Sequence, residues 1–236
     1  MAEVGRTGEA DRAPLSRERV LDRAIAVADA GGLGSLTMRS LATELGVKPM
    51  ALYHYVANKN EILDGIVDRV FGEIELPAAG GQWREEVSRR AESARSVLRR
   101  HPWAISLMES RSAPGPATLR HHEAMLDTLR GAGFSLAMTG HAYALLDAFV
   151  YGFAVQEAAL PFDRDAAPEV VAGIAAQLPA EDYPRLHEYA HERVMTPGYD
   201  FGDEFTFGLG VVLDALERSL RDGDGEAPAP GTSPAR

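Results

Sequence analysis

The 236-residue chain has no cysteine, so a disulfide is excluded. It also has no unbroken apolar run long enough to cross a bilayer, and no membrane span is expected. No N-terminal stretch joins a basic segment to an apolar core and a small-residue cleavage site, so nothing suggests secretion and a cytoplasmic location is expected. Alternating β-branched runs are few, which argues against a sheet, and no glycine-rich loop after a strand suggests nucleotide binding. Positive charge is scarce as well: 24 Lys and Arg stand against 35 Asp and Glu, a net charge of -11. A uniformly basic coating, the usual source of non-specific nucleic-acid affinity, is excluded.

That deficit is uneven. Residues 1–60 carry eight Lys and Arg against seven Asp and Glu, which leaves 16 against 28 for residues 61–236. Any contact with a polyanion must then come from a few well-placed cations near the N-terminus, while the acidic remainder is held away from it.

Both ends read as disordered, 1–14 because it is polar without periodicity and 222–236 because it is rich in Gly, Pro, Ala and Asp. Between them apolar residues recur at three and four, so the expected fold class is all-α. A first helix is expected from about Arg17 to Ala30, capped by Ser16, with Val20, Leu21, Ala24, Ile25 and Ala28 on one face and Gly31 and Gly32 ending it. Thr37 caps a short second helix, with Leu36 and Leu41 placed as a hydrophobic staple and Met38, Leu41, Ala42 and Leu45 as its apolar face. Gly46 suits a left-handed closing position, and Pro49 the first turn of a third helix running to about Val56. Asn58 with Glu61 opens a fourth, along which Ile62, Ile66, Val67 and Val70 are apolar. Pro77, Gly80 and Gly81 mark a boundary. Longer helices follow at about 83–100, 102–111, 115–131, 139–159, 168–177, 181–194 and 204–221, separated by Ala132-Gly133, Pro161 and Thr196-Pro197-Gly198. The expected organisation is a polar arm over 1–14, a three-helix helix-turn-helix domain with its connecting helix over 15–72, a larger helical domain over 73–221 and a tail over 222–236.

The run from Leu36 to Lys59 is the most specific part of the sequence. Its spacing, its turn glycine and the segment Leu52-Tyr53-His54-Tyr55-Val56-Ala57-Asn58-Lys59 closely resemble the helix-turn-helix of the TetR family of repressors. If Leu52 and Val56 face inward, Met50, Ala51, Tyr53 and His54 lie on the outer side of a helix able to enter a major groove. Ala51 permits close approach, Met50 offers an apolar contact to a thymine methyl, and His54 and Tyr53 can reach phosphate. Arg39 resembles the base-reading arginine of the family, whose fork grips guanine O6 and N7. Thr37 and Lys59 stand at helix N-termini, where free amides attract phosphate. Lys48 departs from the small polar cap usual in the family and can touch phosphate instead. The resemblance implies a homodimer on an inverted-repeat operator in double-stranded DNA, most naturally a repressor.

The second part resembles, more loosely, the C-terminal domain of the tetracycline-repressor branch. The residues that carry the likeness are His101-Pro102-Trp103, Gly133-Phe134-Ser135, the run Phe149 to Glu157 and Phe207-Gly208-Leu209. It implies that helices near 139–159 and 204–221 pair with those of a second copy, through Leu145, Leu146, Phe149 and Phe153 on one and Phe205, Leu209, Val212, Leu213 and Leu216 on the other. A plain core would use the same residues. It also implies a small-molecule effector lined by Trp103, Met108, Met125, Phe149 and Phe153. Met108 falls where tetracycline sensors hold their metal-binding histidine, so a magnesium-tetracycline complex is not expected. An apolar or aromatic effector is, with no cofactor.

One competing motif needs weighing. His187-Glu188-Tyr189-Ala190-His191 has the form of a zinc-protease helix, with Glu204 or Glu217 available as a third ligand. No second motif accompanies either carboxylate and no substrate strand precedes the helix, and His121, His122 and His141 are scattered, so no enzymatic activity is expected.

Overall fold

The computed structural model describes residues 14–108, 110, 113–160, 167–175, 177 and 179–223. The expected arm before Pro14, the tail beyond Gly223 and the break at Pro161 lie outside the described residues. Those described are helical throughout, without a strand. They divide into two units, one running to Ile74 and including Arg100–His121, the other made of Glu75–Arg99 and the chain from His122 onward.

In the first unit, α1 (Arg17–Ser35) starts where Ser16 accepts a hydrogen bond from the Arg19 amide, and it buries Val20, Leu21, Ala24 and Ala28. It does not stop at the glycine pair. Gly32 leaves helical geometry at φ 69 and ψ 176, after which the chain regains a turn to Ser35, whose hydroxyl donates to the Gly32 carbonyl at 2.7 Å. α2 (Met38–Glu44) opens with a reciprocal cap, Thr37 Oγ1 accepting from the Ser40 amide at 3.0 Å and Ser40 Oγ from the Thr37 amide at 2.9 Å. Gly46 then takes φ 67, a left-handed backbone that a Cβ would strain. The Val47 amide closes the turn on the Ala42 carbonyl at 2.9 Å. α3 (Pro49–Leu52) is shorter than the sequence suggests, because the amides of Tyr55 and Val56 both turn back to Leu52. α4 (Lys59–Glu73) is capped by Asn58, while Glu61 Oε2 accepts from the Ala57 amide at 2.7 Å. It buries Ile62, Ile66, Val67, Val70 and Phe71.

α5 (Trp83–Arg100) lies in the second unit except for its last residue. Where one helix over 102–111 is expected, a 3-10 turn (Pro102–Ala104) leads into α6 (Ile105–Met108), both in the first unit. α7 (Pro116–Gly131) carries residues of both units. The second unit adds α8 (Leu136–Ala159), α9 (Ala167–Ala175), α10 (Pro184–Tyr189), one π turn (Ala190–Val194) and α11 (Asp203–Arg221). α10 starts at Pro184, later than the expected 181, because proline fits a first turn and clashes with a preceding one. Phe153 is stacked on Phe201 at 4.8 Å between ring centroids and meets Phe205 edge-on at 5.1 Å, which joins α8 to α11. A Cβ on Gly208 would come within 2.7 Å of the Phe149 ring, so the ring would have to shift to admit one.

Candidate nucleic-acid interface and effector unit

The inward side of α3 determines what its outward side can do. Leu52 and Val56 are buried. Met50 is then 73% exposed and Tyr53 48%, with His54 also exposed and Ala51 half-buried between them. This is the division expected of a helix reaching Val56, although α3 ends at Leu52 and the turn after it carries Tyr53, His54 and Val56. Thr37 caps α2 and is exposed, and Arg39, the second residue of that helix, is exposed as well. Lys48 occupies the cap position of α3 without a side-chain cap bond, and Lys59 opens α4. The side-chain nitrogens of Arg39, Lys48 and Lys59 make no hydrogen bond or ion pair with any described residue. Nearby arginines behave otherwise: Arg17 pairs with Glu61 at 3.4 Å and Arg69 with Asp22. These three cations are therefore exposed and without an internal partner, although the chain as a whole is acidic.

The same unit holds a set of polar contacts that the sequence does not disclose. Asp29, on α1, accepts a hydrogen bond from Trp103 Nε1 at 2.6 Å, and the same oxygen lies 2.7 Å from His101 Nδ1. His101 Nε2 faces Glu73 at 3.3 Å, and Arg100 pairs with that carboxylate at 2.7 Å. Asp68 on α4 accepts from the Thr118 amide at 2.8 Å and its hydroxyl at 3.0 Å, at the start of α7. His-Pro-Trp at 101–103 is visible in the sequence only as a resemblance. Its partners lie 72 and 74 residues away in the case of Asp29, and no local pattern marks them.

The expected effector residues are divided. Trp103 and Met108 are buried in the first unit; Met125, buried, and Phe149 and Phe153 belong to the second. Phe149 and Phe153 stand 6.2 Å apart and both pack on Phe205. Arg95 lies over the Phe153 and Phe205 rings and forks onto Glu157 at 2.6 and 3.0 Å. Sequence reading also missed Arg90, 1% exposed, whose Nη1 donates to Asp147 at 2.8 Å. Burial by itself pulls the Arg90 guanidinium down, but Asp147 and then the tyrosines at 151 and 143 outweigh it and hold the group above its ordinary value.

On the faces expected to pair with a second copy, Leu146, Phe153, Phe205, Leu209, Leu213 and Leu216 are buried within the chain itself. Exposed on the same helices are Leu145 (46%), Phe207 (72%) and Val211 (51%).

The metalloprotease alternative finds no support. The His187 and His191 rings do approach to 4.2 Å between centroids, but Glu188 is paired with Arg185, Glu204 with Arg193, and Glu217 with Arg84 and Arg221. Among the described residues no group of three or more His, Asp or Glu could hold a metal ion.

Comparisons with known proteins agree with this geometry. Residues 20–66 match the sequence model of bacterial regulatory proteins of the tetR family, and residues 76–220 that of the tetracyclin repressor-like C-terminal domain. The HTH-type transcriptional repressor DrrR1 of Streptomyces coeruleorubidus is 33% identical over 228 residues, covering 90% of this chain and 81% of that protein. The crystal structure of apo ActR from Streptomyces coelicolor superposes with a TM-score of 0.72 at 27% identity, covering 89% of this chain and 98% of that one. ActR in complex with actinorhodin gives 0.71 at 30% identity, covering 91% and 100%.

Proposed function

The chain belongs to the tetR family of bacterial regulatory proteins, and from that membership we propose that it is a homodimeric repressor whose two Thr37–Lys59 surfaces hold an inverted-repeat operator until a small aromatic effector releases it. The observation that carries the reading is the set of unengaged cations and exposed side chains between Thr37 and Lys59 of an otherwise acidic chain. Arg39 reads a guanine, Met50 meets a thymine methyl, and Ala51 lets the backbone close on the groove. Thr37, Lys48, Tyr53, His54 and Lys59 take phosphates and set the register.

Met125, Phe149 and Phe153 of the second unit supply apolar contact to the effector. The complex of ActR with actinorhodin supports an aromatic ligand class. Leu145, Phe207 and Val211 extend the dimer surface of α8 and α11, since apolar side chains this exposed gain most from a partner. The effector favours one dimer geometry, and α4 carries the difference to the reading heads. A coupling of about 1–3 kcal/mol lowers operator affinity roughly 5- to 150-fold. The protein works in the cytoplasm, needs no cofactor and catalyses no reaction.

Footprinting on the DNA that flanks the coding region tests the reading. Protection with twofold symmetry over two half-sites, formed by two chains, is the expected result. Protection of a single half-site by one chain, or none at any salt concentration, would sink it.

A further inference from the structure

The chain has no cysteine, so any sulfur chemistry belongs to its seven methionines. Met1 lies outside the described residues. Met108 and Met125 are buried, and Met38, Met138 and Met195 are half-buried. Met50 alone among the described methionines is exposed, at 73%, and no other large apolar side chain described in the first unit is exposed as much. It stands in the first turn of α3, between Lys48, which is exposed and without an internal partner, and the exposed Tyr53 and His54.

A side chain so exposed adds little to the fold, and contact with a thymine methyl asks only for an apolar group. Leucine has nearly the volume of methionine and would serve that contact without being oxidisable. What methionine adds is a thioether sulfur, here open to solvent and to any oxidant dissolved in it. Oxidation at this position spares the core and changes the reading surface instead. A sulfoxide is polar and carries a strong acceptor oxygen, whereas the thymine edge in the major groove offers a methyl group and the acceptor O4, with nothing to donate. The modified side chain loses the apolar contact and sets one acceptor against another.

We propose that Met50 is an oxidant-sensitive modification site, at which a peroxide-class two-electron oxidant converts the thioether to a sulfoxide and so lowers operator affinity by a route separate from the effector. The proposal rests on the operator-reading surface above and adds a second input to it. The Met50 sulfur attacks one oxygen of hydrogen peroxide; an S–O bond forms as the O–O bond breaks, the proton on the attacked oxygen passes to the departing hydroxide, and water leaves. The thioether is oxidised by two electrons and the peroxide is reduced. Return needs an outside dithiol, which removes the oxygen as water and becomes a disulfide; a methionine sulfoxide reductase supplies it, since this chain has no thiol of its own.

The test uses the full-length protein and limiting hydrogen peroxide, with peptide mass spectrometry to rank the methionines and fluorescence anisotropy of a labelled operator duplex to read affinity. Met50 is expected to gain oxygen before any other described methionine, and more slowly when the operator is bound over it. Operator affinity is expected to fall at least about tenfold, with helical circular dichroism and Tm unchanged, and to return after treatment with methionine sulfoxide reductase and dithiothreitol. Affinity for scrambled DNA, set by phosphate contacts, should change less than about twofold. Met50→Gln, a polar stand-in for the sulfoxide, is expected to bind the operator weakly before any oxidant is added. Met50→Leu is expected to give the same affinity before and after treatment, whatever its starting value. Oxidation of Met50 behind another described methionine, unchanged affinity of protein oxidised at Met50, or an equal response in Met50→Leu would overturn the proposal. Untreated wild type that does not prefer the operator over scrambled DNA would instead refute the operator reading, and the proposal with it.

Discussion

Trp103 Nε1 donates to Asp29 Oδ1 at 2.6 Å, and that one oxygen also lies 2.7 Å from His101 Nδ1. A single carboxylate on α1 thus gathers two polar groups of the segment that follows α5, both of them buried. Trp103→Phe removes one donor and leaves the acceptor a neighbour, so it should cost about 0.5–1.5 kcal/mol. Asp29→Ala strands an indole N–H and an imidazole together and should cost more, about 1–3 kcal/mol. Urea midpoints of the two variants check the order. Equal losses would show that His101 gains nothing from Asp29.

The turn between α2 and α3 depends on Gly46 at φ 67, where an added Cβ would meet nothing within 4 Å, so space is not the constraint. The cost of Gly46→Ala is conformational, about 1–2 kcal/mol. Thermal unfolding should therefore shift downward, and operator affinity should fall with it because α3 is aimed by this turn. An unchanged Tm would mean that the turn relaxes into another geometry.

Helix starts were legible because their causes are local. Ser16, Thr37 and Asn58 each satisfy amides within three residues, and each caps where expected. The outward set around α3 was legible from the burial of Leu52 and Val56, which leaves Met50, Tyr53 and His54 exposed even though the helix stops at Leu52 and a turn carries the last two. Helix ends were harder. The glycine pair in α1 interrupts the helix without ending it, because a Ser35 hydroxyl bond supports one further turn. The 3-10 turn over Pro102–Ala104 is not marked by hydrophobic periodicity, and the late start of α10 follows from Pro184, a local signal that periodicity overlooks. The polar contacts were not legible at all. Arg90 and Asp147 are 57 residues apart, and nothing in the pattern around either charge hints that they are buried together.

Phe207 and Val211 lie one turn apart on α11 and are 72% and 51% exposed, whereas Leu209 and Leu213 beside them are core. Phe207→Asp with Val211→Asp should leave each chain folded and separate the copies. Sedimentation should move from two chains to one while helical circular dichroism is kept, and operator binding should collapse because one reading head alone forfeits the second half-site. A double variant that remains dimeric would place the interface on other residues.

Lys48 and Lys59 hold no described carboxylate, and phosphate is the role assigned to them. Lys48→Ala and Lys59→Ala should each weaken binding about equally on cognate and scrambled DNA. Each should also reduce the magnitude of the log–log salt slope by about one. A loss confined to the cognate sequence would make either lysine a base reader instead.

The most direct measurement is a salt series of operator affinity for wild type and Arg39→Ala on cognate and scrambled duplexes. The expected result is tight, salt-dependent binding to the cognate duplex that Arg39→Ala weakens by about 1–3 kcal/mol, with the salt slope nearly kept and the preference at one guanine relaxed. Binding that does not distinguish the two duplexes, or that Arg39→Ala leaves unchanged, would contradict operator reading by this helix-turn-helix.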